Sequence, residues 1–244
     1  DFPIFATMPH IVAESGNKKL GKRDGAKDVL DYLKDGYLPE TMLNFIASLG
    51  WNDGTEQEIF TVDELISKFS LDRVQHSGAR FDEKRLEWMN GQHIRNLSID
   101  ELYQRVSNFW PESAKQASED EKKQILALAQ DRLKTLADLP TLTDYFFAEP
   151  TPDLNMVKDN KQLSRYSNEE LKTLIENTAA ALETSEFTSE KIQDTLNQLL
   201  ETTGQKPGIL FSLIRLAVSW APISPALNET LAVLGKDRIL QRLQ

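Results

Sequence analysis

The sequence predicts a mainly α-helical chain that begins on a short strand-bearing edge, and three observations carry that expectation. Capping boxes at Ser98/Glu101, Ser118/Glu121 and Ser167/Glu170, with a further cap candidate at Thr188, open one helix after another and leave little room for a sheet. Apolar residues recur at the spacing of one helix face, as at Ala26, Val29, Leu30 and Leu33. Strand-like residues are confined to the start, where Ile4, Phe5, His10, Ile11 and Val12 precede the polar turn Glu14-Ser15-Gly16-Asn17.

Taken in order, residues 1–23 read as a loop-rich edge. A first helix over Ala26–Leu33 ends at Gly36, and Pro39 opens a second with Met42, Leu43, Phe45 and Ile46 that stops at Gly50. Thr61 with Glu64 starts a third, ahead of Leu65, Ile66 and Phe69. Asp82 caps a fourth, whose Leu86, Trp88 and Met89 read as core, with base stacking by Trp88 as the alternative. A helix is expected from Glu121 to Leu136. The run Glu149-Pro150-Thr151-Pro152-Asp153 suits a seam between two helical subdomains, placed at 149–165.

Composition narrows the classes. The chain has 244 residues, 40% hydrophobic and 27% charged, which is ordinary for a folded globular protein. With no cysteine, disulfides and thiolate-bound zinc are excluded, and the three histidines (His10, His76, His93) are too scattered for a metal site. A reducing cytosol suits this, so a cytoplasmic location is expected; a monomer is expected as well. The longest apolar stretch, Ile209 to Ile223, is broken by Arg215 and is too short to span a bilayer. Asp1-Phe2-Pro3-Ile4-Phe5 has no basic signal-peptide start and reads as a cut inside a larger protein. The net charge of −10 opposes binding of nucleic acid through one broad basic face. Screening over roughly 8 Å leaves the decision to local clusters.

The densest such cluster is Lys18-Lys19-Leu20-Gly21-Lys22-Arg23-Asp24-Gly25. A glycine-punctuated basic loop ahead of a helix start is either a phosphate cradle or a solvated turn. Lys19-Leu20-Gly21-Lys22-Arg23 resembles the KMSKS loop of class I aminoacyl-tRNA synthetases in the KLSKR form of the glutamate enzymes. Gly36-Tyr37-Leu38-Pro39-Glu40, Leu49-Gly50-Trp51, Glu58-Ile59-Phe60, Trp88-Met89-Asn90-Gly91 and Leu231-Ala232-Val233-Leu234-Gly235-Lys236 are similar to the same family in order and spacing. The resemblance spans the chain and is weak between 97 and 200.

That resemblance, to bacterial-type glutamate–tRNA ligases, implies a layout. Residues 1–25 would be the edge of a class I α/β catalytic domain, 26–97 a stem-contact region, and 98–160 and 161–244 two halves of an all-helical anticodon-binding cage. It implies a parent enzyme that joins glutamate to its tRNA through a glutamyl-adenylate, using ATP with Mg2+. Lys19 and Lys22 would neutralise charge on the ATP phosphates, with Arg23 steadying the loop or meeting the tRNA acceptor end. Gly21 stands where the family usually has serine. The HIGH motif has no counterpart around any of the three histidines, so the chain alone should not make adenylate.

For the tRNA, the resemblance implies stem contact by the region of Arg80, Lys84, Arg85 and Arg95, which interleaves cations with Trp88. Arg132 falls on the position whose arginine senses the third anticodon base, and leans towards an enzyme that discriminates against glutamine tRNA. Arg215, Ser224 and Leu227 fall near the first base. Each has a bland alternative: Arg215 snorkels from an apolar helix, Leu227 is core, and Ser224 caps the helix after Pro225. Two other classes compete. A helical interaction scaffold would suit the acidic balance, and a paralogue that glutamylates a tRNA nucleoside would lack the long helical half.

Overall fold

The computed structural model describes Phe5 and residues 9–13, 18–21 and 27–244. Lys22 and Arg23 lie outside the described residues. Two compact units are present: residues up to Phe109 together with Leu133–Asp138, and Trp110–Arg132 together with Leu139–Gln244.

In the first unit, residues 11–13 form a narrow sheet edge. The Val12 N–H donates to the Ala79 carbonyl and its carbonyl accepts from Phe81 N, while Leu20 N donates to the Ile11 carbonyl, each at 2.9 Å. Among the described residues five α-helices follow: α1 (Val29–Lys34), α2 (Pro39–Ser48), α3 (Val62–Lys68), α4 (Glu83–Asn96) and α5 (Ile99–Arg105). Their starts are those the caps predict. Thr61 and Ser98 make full capping boxes, and the Asp82 carboxylate accepts from Arg85 N at 3.0 Å. Helix α1 starts later than expected, at Val29, because the Asp28 carboxylate caps it.

The faces of two helices differ from expectation. Helix α1 buries Tyr32 and exposes Val29, Leu30 and Leu33. Tyr32 stands edge-on to Tyr37 and near Phe81, so the aromatic cluster, rather than the aliphatic stripe, sets its rotation. Helix α4 turns Leu86, Met89, Asn90, His93 and Ile94 inward, a spacing that carries Trp88 to the outside, 44% exposed. Trp88 is therefore not core.

Buried polar side chains pin this unit. Asn90 Oδ1 accepts from Leu38 N at 2.9 Å, and its Nδ2 donates to the Lys134 carbonyl at 2.6 Å. Gly36, at φ +84°, lets α1 end and brings Leu136 N to its carbonyl at 2.9 Å; a Cβ there would stand 2.5 Å from Ala137 N. Asn44 Oδ1 accepts from Phe60 N at 2.9 Å and from His93 Nε2 at 3.1 Å. Burial holds the His93 imidazole pKa below its ordinary value.

The second unit packs eight helices: α6 (Glu119–Ala129), α7 (Leu139–Phe147), α8 (Leu154–Asp159), α9 (Asn168–Thr184), α10 (Ser189–Thr203), α11 (Pro207–Ser219), α12 (Leu227–Leu234) and α13 (Lys236–Arg242). Ser118, Ser167 and Thr188 cap α6, α9 and α10 as expected. One apolar core runs from Ile125 and Phe146 through Leu182 and Leu196 to Ile214 and Leu231. The connection at 149–153 passes within this unit, where Glu149 pairs with Arg242 at 2.9 Å. The nearly buried Arg242 guanidinium also donates to the Val218 and Tyr145 carbonyls, tying α13 to the ends of α11 and α7.

The expected helix from Glu121 to Leu136 is shorter in fact. It stops at Ala129 and tightens into a 3-10 turn at Gln130–Arg132. Beyond it, the Asp138 carboxylate takes the N–H groups of Lys134 and Thr135 at 3.0 and 2.9 Å, which removes the donors a continuing helix would need.

Candidate nucleic-acid interface

In the first unit, helical spacing places Lys84, Trp88, Gly91 and Arg95 on one face of α4. The Gln92 amide, turned so that its oxygen meets two donors, accepts from Trp88 Nε1 at 3.2 Å and from Arg95 Nη2 at 3.1 Å. Gly91 matters here, because a Cβ would sit 3.2 Å from Arg95 Nη2. An exposed indole thus stands beside Lys84, which is exposed, and Arg95, which is half-buried. Arg85 faces elsewhere and pairs with Glu58 at 3.1 Å. Arg80 is exposed on the strand that bridges to Val12. So the structure brings together two of the four predicted stem residues and commits a third to a carboxylate. Lys19, exposed, bridges Val12 on the other side of that strand, with Gly21 two residues on.

In the second unit, Arg132 is exposed on its 3-10 turn and Arg215 is half-buried in α11. Desolvation holds the Arg215 pKa below its ordinary value, and the positive charge of Arg132 pushes it the same way. Two residues far apart in sequence are therefore close enough in space to repel. Among the described residues, neither has a carboxylate within salt-bridge distance. Arg215 Nε donates to Ser224 Oγ at 2.7 Å, and the Ser224 hydroxyl donates to the Pro225 carbonyl at 3.0 Å. Ser224 is thus held by the arginine and does not cap α12, whose N-cap is Ala226. Leu227 is 6% exposed and lies in the apolar core.

Two residues that local pattern did not single out join this site. Tyr145 is near enough to Arg215 to feel its charge, and burial drives its phenol pKa well up. Trp220 ends α11 in the left-handed region at φ 44°, starting the loop that carries Ser224. Pro225 is the sequence signal of that loop. Among the described residues, no group of three His, Cys, Asp or Glu could hold a metal ion, and no helix is long and apolar enough to cross a membrane.

Comparison with known proteins finds a family match on each part of the chain. Residues 101–244 match the family described as an anticodon binding domain, and residues 2–88 match tRNA synthetases class I (E and Q), catalytic domain. Among curated relatives, the glutamate–tRNA ligase of Corynebacterium efficiens is 36% identical over 248 residues, covering 99% of this chain and 49% of that protein. That of Moorella thermoacetica is 31% identical over 250 residues, covering 100% of this chain and 50% of the relative. A solved glutamate tRNA ligase from Elizabethkingia meningosepticum, in complex with its amino acid, superposes with a TM-score of 0.75 at 26% identity, over 100% of this chain and 51% of that one. The chain spans about half the length of the curated relatives it matches. With that match over residues 101–244, more than half of its length, the chain belongs to the family described as an anticodon binding domain, preceded by a part similar to the class I (E and Q) catalytic domain.

Proposed function

We propose that this chain is the tRNA-reading part of an enzyme that attaches glutamate to its tRNA through a glutamyl-adenylate. The observation that carries the reading is the convergence of Arg132 and Arg215 without a carboxylate, inside the region matched as an anticodon binding domain. Two guanidiniums kept together in an acidic chain are stabilised when an electron-rich partner arrives. Their planar forks suit base edges. Arg132 reads the third anticodon base. Arg215, with its guanidinium oriented by Ser224, serves the first, and Leu227 supports that loop from the core.

Residues 26–97 meet the stem through Lys84, Trp88 and Arg95, with Arg80 nearby and Arg85 held back by Glu58. Lys19, with Lys22 and Arg23, neutralises charge on the ATP phosphates in the whole enzyme. Exposed lysine beside a glycine fits a phosphate group, and Mg2+ would arrive with the nucleotide, supplying charge neutralisation there. A cytoplasmic monomer is the working state.

The test uses the 244-residue chain and a glutamate tRNA, with an unrelated tRNA alongside. Anisotropy should show binding that weakens from 50 to 200 mM salt (roughly the range in which phosphate contacts are lost). ATP–pyrophosphate exchange with glutamate should be absent. No binding at low salt would favour the helical scaffold instead, and exchange at enzyme-like rates would overturn the division of labour.

A further inference from the structure

Helix α11 presents a second charged feature on the face that carries Arg215. Gly208 and Arg215 are two turns apart in α11, so they share one side of it, about 10 Å apart along its axis. At the Gly208 end lies an open concavity of about 790 Å³, lined by Lys161, Arg165, Tyr166, Gln205, Lys206 and Gly208 among others. Lys161, Arg165 and Lys206 have no carboxylate within salt-bridge distance among the described residues. One acid, Glu170, is in the lining, but its carboxylate accepts both the N–H and the hydroxyl of Ser167 at 2.8 Å and so serves its own helix start. The Tyr166 hydroxyl donates to Gln205 Oε1 at 3.0 Å, which fixes one wall. Gly208 leaves the floor open to Gln162, since a Cβ there would stand 2.7 Å from its amide oxygen.

We propose that this concavity takes a backbone phosphodiester of the tRNA whose anticodon bases reach Arg215 and Ser224. The inference rests on the tRNA reading above. Three cations gathered in a concave surface of a chain with net charge −10 repel one another unless an anion lies among them. Lysine ammoniums and an arginine fork match phosphate oxygens, and they carry no base preference. The shared face with Arg215 favours RNA over free phosphate, because one strand can run along α11 from base contact to backbone contact.

The experiment compares the chain with Arg165→Ala/Lys206→Ala and with the charge-keeping Arg165→Lys/Lys206→Arg, titrating glutamate tRNA and an unrelated tRNA across salt. The alanine pair should flatten the log K against log salt slope by about 0.7–0.9 per phosphate lost and weaken binding at 50 mM salt by about tenfold, equally for both tRNAs. The charge-keeping pair should restore the slope. Should the alanine pair fail to fold by circular dichroism, Lys161→Ala and Lys206→Ala, each at an exposed position, carry the same expectation singly. If the parent chain binds tRNA and the variants keep its slope, the phosphodiester site is refuted while the anticodon reading stands. Millimolar inorganic phosphate shifting the NMR signals of this pocket, with tRNA affinity unchanged in the variants, would likewise refute it in favour of a free-phosphate site. If the parent chain binds no tRNA at low salt, the tRNA reading itself fails.

Discussion

The two units treat their cations differently. In the first, Arg85 is paired with Glu58, Lys134 with Glu87 and Arg105 with Glu40, leaving Lys84 beside Trp88 as an exposed charge on α4. In the second, Lys115, Lys123, Lys172, Lys191 and Arg242 have carboxylate partners, but Arg132 and Arg215 lie within electrostatic range of each other without one, and Lys161, Arg165 and Lys206 line one concavity without one. The cores differ in parallel. The first unit is pinned across elements by buried Asn44, Asn90 and His93, whereas in the second the buried Thr143, Thr178 and Ser219 hydroxyls donate to carbonyls of their own helices and Arg242 makes the ties between elements. A cation already matched to a carboxylate offers little field to a partner, and a cluster without one offers more.

The contrast can be broken from the apolar side first. Ile214 is fully buried next to Arg215, and Ile214→Ala should cost about 2–5 kcal/mol through lost transfer energy and a cavity. Hydrogen exchange should show that loss in the second unit and leave protection around Asn90 unchanged. Loss spread evenly over both units would mean that they do not unfold separately.

A smaller effect is expected from the polar side. Asn90→Ala strands Leu38 N–H and the Lys134 carbonyl, for about 1–3 kcal/mol, and should be felt in α2 and α4 only. Protection that stays at the parent level would show that Asn90 does not pin the unit.

The smallest is a pH effect. The folded His93 pKa lies below the ordinary 6.5, so the unfolded chain takes up the proton first. Its contribution to stability is full above about 6.5 and fades as pH falls below that value towards the folded pKa. All three histidines precede Phe109, so between pH 7 and 5.5 protection should fall in the first unit and hold in the second. An equal fall in both, or a His93→Gln variant with the same profile, would remove His93 as the cause.

How far the sequence could be read depended on range. Caps at Thr61, Asp82, Ser98 and Ser167 are signals within three residues of the helix start, and each is in place. The rotation of α1 and the exposure of Trp88 depend on which neighbours compete for the interior, Tyr37 and Phe81 in one case and the Leu86–Ile94 stripe in the other. Helix α6 stops at Ala129 because Asp138, beyond any capping window, takes the next donors. The site residues were named through motif resemblance. That Arg132 lies within electrostatic range of Arg215, that Ser224 is bonded to Arg215, and that Tyr145 feels the charge of Arg215 is non-local, and no spacing in the chain encodes it.

The most direct test of the central claim is the anticodon discrimination of Arg132→Gln in the whole enzyme. Glutamine keeps a hydrogen-bonding side chain and removes the charge and the fork, so affinity for tRNA should fall less than selectivity. The ratio to measure is charging of tRNA whose anticodon ends in C over tRNA whose anticodon ends in G. Loss of one bidentate contact should lower it by about 1–3 kcal/mol, or roughly 5- to 150-fold. A ratio within about twofold of the parent enzyme, well inside the effect of one such contact, would contradict the assignment of base reading to Arg132.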